Sequence, residues 1–147
     1  MYKIFEDGVS EIQTDMISIC LEYCMKEASK IYIYCSLENR AFTSNYFFEV
    51  NGKLYKKHKL KDVIPNINVS TDIQKQVLGI LINDLVEFDK LCSEFDQPLP
   101  TEIRLIYDIE NNNASAKYRY DVIHSDHKTL TENDVMQQWF NEIEAQL

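Results

Sequence analysis

The stretch TDIQKQVLGILINDLVEFDKLCSEF, residues 71–95, decides how this chain folds. Ile73, Val77, Leu81, Leu85, Phe88, Cys92 and Phe95 recur at steps of three or four. That spacing gathers them into one stripe and predicts a helix from Asp72 to Phe95. Thr71 and Gln74 have the spacing of a capping box at its start, and Pro98 and Pro100 are expected to stop it. At 1.5 Å per residue the stripe runs for about 35 Å, so it needs an equally long apolar support. The flanking strands are the candidates.

Upstream, residues 2 to 26 predict a first helix. Phe5, Val9, Ile12, Met16, Ile19, Cys20 and Tyr23 lie along one side, with Asp7, Glu11, Asp15 and Glu22 away from it. The period then changes to two. Ile31, Ile33, Cys35 and Leu37 alternate with Tyr32, Tyr34 and Ser36, as in a strand with one buried face and one partly wet, tyrosine-lined face. A second strand is expected over Thr43 to Val50 and a third over Lys53 to Leu60. Asn51 and Gly52 between them form a type I′ hairpin turn, which requires positive φ at both positions. The lysines of the third strand read as the guard of a sheet edge.

Downstream, a second hairpin runs from Glu102 to Val122 around Asn111, Asn112 and Asn113. Ile106 falls on its mainly polar side, which calls for a cover. Thr129 and Glu132 suggest a capping box before a closing helix from Glu132 to Gln146, whose buried side is Val135, Met136, Trp139, Phe140 and Ile143. The expected architecture is an α+β domain over residues 1–147, in the order α-βββ-α-ββ-α, with an antiparallel sheet and helices mainly on one face.

Charge and composition narrow the function. The net charge of −9 argues against nucleic-acid binding, which needs a basic face. Five of the 15 basic residues crowd between Lys53 and Lys61, while Asp84 to Glu144 holds 14 carboxylates against five basic residues. Such a surface favours encounter with a basic protein. Cys20, Cys24, Cys35 and Cys92 stand singly in apolar patterns, as reduced buried thiols of a cytoplasmic protein do. Acidic residues near the start and the lack of a long apolar run predict neither an export signal nor a membrane span.

Motifs for chemistry are sparse. Gly8, Gly52 and Gly79 are too scattered for a P-loop or a dinucleotide fingerprint. His124, Asp126 and His127, with Asp121 nearby, are the one group resembling metal ligands or acid–base residues, and they come without a matching nucleophile. No catalytic residue, cofactor or metal is therefore expected.

The stretch KIYIYCSLENRAFTSNYFFEVNGKLY (residues 30–55), the long helix, and EIRLIYDIENNNASAKYRYD (residues 102–121) together resemble the YezG-like antitoxin, or immunity-protein, family. The pattern there is an opening helix, a tyrosine-rich strand, an aromatic strand pair, a long helix and a hairpin ending in Tyr-x-Tyr-Asp, here Tyr118 to Asp121. A closing helix with a tryptophan follows, here Trp139. This chain carries Ala28, Ser29 and Thr101 where that family often has further tryptophans. The resemblance implies a cytoplasmic monomer or homodimer that neutralises a cognate secreted toxin, a basic nuclease domain, by stoichiometric occlusion. Asp84, Glu87, Glu94, Glu102, Asp108 and Glu110 are the candidate contact residues. The rival reading is an acidic dimeric secretion chaperone holding an effector, for which Ile80, Ile82 and Val86 beside the main stripe would supply an apolar patch. A small enzyme using His124 and His127 is the third.

Overall fold

A computed structural model describes residues 4–126 and 129–147. The elements are α1 (Phe5–Tyr23), β1 (Lys30–Ser36), β2 (Thr43–Val50), β3 (Lys53–Lys56), α2 (Thr71–Glu94), β4 (Glu102–Asp108), β5 (Asn113–Arg119) and α3 (Glu132–Gln146). Short 3-10 turns occupy Glu38–Arg40 and Lys57–Asp62. The five strands form one antiparallel sheet in the order β3-β2-β1-β4-β5, so the expected α+β architecture is the observed one.

Strand β1 is central because both of its faces are apolar. Ile31, Ile33 and Cys35 look toward α1 and α2, joined there by Tyr46, Phe48 and Leu105. Leu81 and Leu85 of α2 are fully buried in this core, each worth about 1.5–3 kcal/mol. The long stripe is supported by the sheet and by α1 together: the two helices lie side by side on the same sheet face and share one core cluster with its strands.

The other face corrects the expectation of a partly wet tyrosine surface. Tyr32 and Tyr34 are 3% and 2% exposed because α3 lies over them. Trp139 meets the Tyr32 ring edge-on at 5.7 Å and the Phe47 ring at 5.2 Å. Ile106 packs against this second cluster, which is the cover its position called for. Two helices thus share one face and the third takes the opposite one.

Element ends show local chemistry that the sequence placed slightly elsewhere. The N-cap of α2 is Ser70, whose Oγ accepts from the Ile73 N–H at 3.3 Å, while Gln74 Nε2 donates to the Val69 carbonyl at 2.8 Å. Thr71 already has its place in the helix. At the far end Asp96 is left-handed (φ 56°) and the Gln97 N–H donates to the Cys92 carbonyl at 2.8 Å. That closure ends the helix before either proline is reached. Thr131 and Asp134 form the α3 capping box, two residues after the expected pair.

The predicted third strand stops early. Tyr23 donates its hydroxyl to the Lys57 carbonyl at 2.8 Å, and the following 3-10 turn drives Leu60 into the core. Only four residues are left to pair, which keeps this lysine-bearing edge short. Asn51 (φ 51°) and Gly52 (φ 80°) form the expected I′-type corner. The first helix begins at Phe5, and Tyr2, where it was expected to start, lies outside the described residues.

Candidate functional site: an acidic cleft between two helices

Because α1 and α2 turn their apolar stripes down onto the sheet, their polar edges meet above it. The space between them is a cleft of about 420 Å³. Glu11 and Asp15 reach it from α1, and Asp84, Glu87 and Glu94 from α2. Ile12 and Leu91 supply apolar wall. Against five carboxylates stands one cation, Lys90, whose ammonium pairs with Glu87 at 3.3 Å on the exposed rim.

The residue that sets this cleft apart is Asp84. It sits where a solvated carboxylate was expected, one turn before Glu87, yet it is only 6% exposed because α1 covers it. Its Oδ2 has no hydrogen-bond partner. Burial, then the neighbouring Asp15 carboxylate through a hydrogen bond and its charge, then the Glu87 charge, push the Asp84 carboxyl up to about 8. The protonated form of Asp84 is favoured beside Asp15, since two ionised carboxylates in contact repel.

The other candidate contact residues separate. Glu87 and Glu94 are exposed and line the cleft. Glu102 corrects its assignment as a contact, being 1% exposed on the opposite side of the sheet. There it accepts the Tyr34 hydroxyl at 2.7 Å and Arg104 Nε at 2.8 Å, while the Arg104 guanidinium lies over Trp139 at 5.5 Å. The guanidinium over Trp139 links α3 to the sheet, and Glu102 holds Arg104 in that position. Asp108 closes the β4–β5 turn by accepting the Asn111 N–H at 3.2 Å and its side-chain amide at 2.8 Å, bonds that hold its carboxyl below the ordinary value. Glu110 is exposed on the same turn, and neither residue lines the cleft. Asp84 is buried and forms the floor of the cleft.

Glu11 and Asp15 are the members that the sequence reading treated as an ordinary solvated face. The available signal was their spacing of one helical turn, i and i+4. What the spacing did not carry was that this edge meets an acidic edge of α2.

The histidine cluster has a different role. Glu38 is 3% exposed and accepts the Ile123 N–H at 2.9 Å, the His124 and Ser125 N–H groups at 3.2 Å each, and the Ser125 hydroxyl at 2.6 Å. Burial alone would raise this carboxyl, but the four donors outweigh it and hold it below its usual value. His124 Nε2 lies 3.0 Å from Ser36 Oγ and 3.1 Å from Glu38 Oε2. Both contacts fall on one ring nitrogen, whereas a relay uses both. The geometry is a clamp that ties the segment after β5 to the end of β1. Asp121 is held by Arg119 at 2.6 and 3.0 Å, and His127 lies outside the described residues.

All four cysteines are free and buried. Burial raises the Cys20 and Cys35 thiols, which lowers their reactivity. Among the described residues no group of three or more His, Cys, Asp or Glu is arranged to hold a metal ion. No helix among them is long and apolar enough to cross a membrane. In sequence comparisons, no protein-family model and no curated protein matches the chain.

Proposed function

We propose that this chain is an immunity protein: a cytoplasmic antitoxin that binds a cognate secreted toxin, a basic nuclease domain, and blocks it by stoichiometric occlusion without performing chemistry. The observation that carries this reading is the cleft between α1 and α2, where Glu11, Asp15, Glu87 and Glu94 face outward around a buried acid. A nuclease presents a cationic substrate face, and an opposed potential both speeds encounter and fixes orientation. The pattern resemblance of residues 30–55 and 102–121 points the same way.

The test is co-purification with the proposed cognate toxin domain, sought first in the adjacent genes, followed by size measurement. A one-to-one complex of folded partners is the expected result. A chain that neither binds that domain nor protects cells from it refutes the reading.

A secretion chaperone is the second reading, favoured by one observation. Ile80 and Met25, 38% and 48% exposed, line a groove with Ile19, Ile73 and Val77 at another part of the α1–α2 pair. Ile82 and Val86, expected to extend such a patch, are half-buried, and Ile82 packs against the core. A stable dimer that holds an extended effector segment would support the chaperone instead.

A further inference from the structure

A buried carboxyl oxygen without a donor marks a place where the molecule is incomplete. Asp84 Oδ2 is such an atom, in a residue 94% buried, at the floor of the cleft between α1 and α2. Its neighbour is the Asp15 carboxylate, itself an acceptor. The resident cation does not fill the gap, because Lys90 is paired with Glu87 and its side chain is 69% exposed.

We propose that the cleft is a socket for one basic side chain of a protein partner, an arginine in preference to a lysine, with the Asp84 carboxylate at its floor as acceptor. That the cation comes from a protein rests on the immunity reading; that the socket takes a guanidinium does not.

Three features fit this occupant. Asp15 and Asp84 place two carboxyls side by side, and a guanidinium delivers parallel N–H donors to such a pair where an ammonium offers a point charge. Ile12 and Leu91 offer apolar wall for the methylene stem. Glu11, Glu87 and Glu94 surround the site with negative potential that draws a cation inward.

In the free chain the Asp84 carboxyl favours its protonated form beside Asp15. Entry of the cation expels this proton: Asp84 O–H ionises, the proton leaves to solvent, and the carboxylate accepts N–H donors. The titratable and charged groups bearing on this step are Asp15 and Glu11 from α1, Glu87, Lys90 and Glu94 from α2, and the buried Cys35 thiol from β1.

The experiment is a carboxyl-carbon NMR titration of the full chain at pH 7 with N-acetyl-arginine amide, run beside N-acetyl-lysine amide and calcium chloride. The expected result is a saturable shift of the Asp84 and Asp15 carboxyl signals with the arginine probe. Release of a proton should accompany it, with a lower Asp84 titration midpoint in the saturated state. The lysine probe should bind more weakly, and D84N should weaken arginine binding at least tenfold while keeping the wild-type amide spectrum elsewhere. D15N serves as a second variant, expected to lower the affinity with Asp84 still in place.

Shifts that rise linearly and alike at every exposed carboxylate would overturn the proposal. So would an unchanged Asp84 midpoint, or saturation by calcium without saturation by arginine. Because no toxin enters this experiment, its failure leaves the immunity reading standing, and a failed toxin complex leaves the socket standing.

Discussion

At the scale of single residues, two buried carboxyls behave in opposite ways. The Asp84 carboxyl is pushed up by burial and by Asp15: its folded value of about 8 lies above the roughly 3.9 of an unfolded aspartate. The folded state therefore binds the extra proton between those values, and stability should fall as pH rises from about 4 to about 8. Asp84→Asn, which supplies a permanent donor beside Asp15, should remove that slope and raise stability at pH 7 by about 1–3 kcal/mol, as urea unfolding across a pH series would measure. Glu38 runs the other way. Its carboxyl lies below the ordinary value, so its contribution is present at neutral pH and lost as pH falls through the folded value. Glu38→Ala strips acceptors from the Ile123, His124 and Ser125 N–H groups and should cost about 1–3 kcal/mol, with faster hydrogen exchange at those three amides. Neither carboxyl was legible as buried in the sequence. Asp84 falls among Asn83, Glu87 and Lys90, and only packing against a helix distant along the chain encloses it.

At the scale of elements, periodicity carried most of the information. The apolar stripes of α1, α2 and α3, the two-residue alternation of β1 and the Asn51–Gly52 corner all have local signatures, and those elements stand where they were expected. Two misplaced caps and a shortened β3 had non-local or near-degenerate causes. Ser70 and Thr71 are adjacent capping residues, and β3 ends where Tyr23, on another element, takes the Lys57 carbonyl. The docking of α3 was equally hidden, since its apolar side reads the same whichever sheet face receives it. That docking rests on Trp139 against Tyr32 and Phe47 and under the Arg104 guanidinium. Trp139→Ala should cost about 3–5 kcal/mol in guanidinium unfolding and increase dye binding to the exposed tyrosine face.

At the scale of the whole molecule, the net charge of −9 was plain from composition, but its concentration in a cleft was not. Glu11 and Asp15 meet Asp84, Glu87 and Glu94 only because two amphipathic helices lie side by side on one sheet face. If capture of a basic partner is steered by this field, the association rate should fall severalfold between low and physiological salt while dissociation changes little, which stopped-flow mixing resolves. The central claim is that this acidic edge is what seizes the partner. Its most direct measurement is the growth of cells expressing the proposed cognate toxin domain together with either the wild-type chain or a folded variant carrying Glu11→Lys, Glu87→Lys and Glu94→Lys. The account predicts protection by the first and its loss in the second; equal protection by both, or none by the wild type, would contradict it.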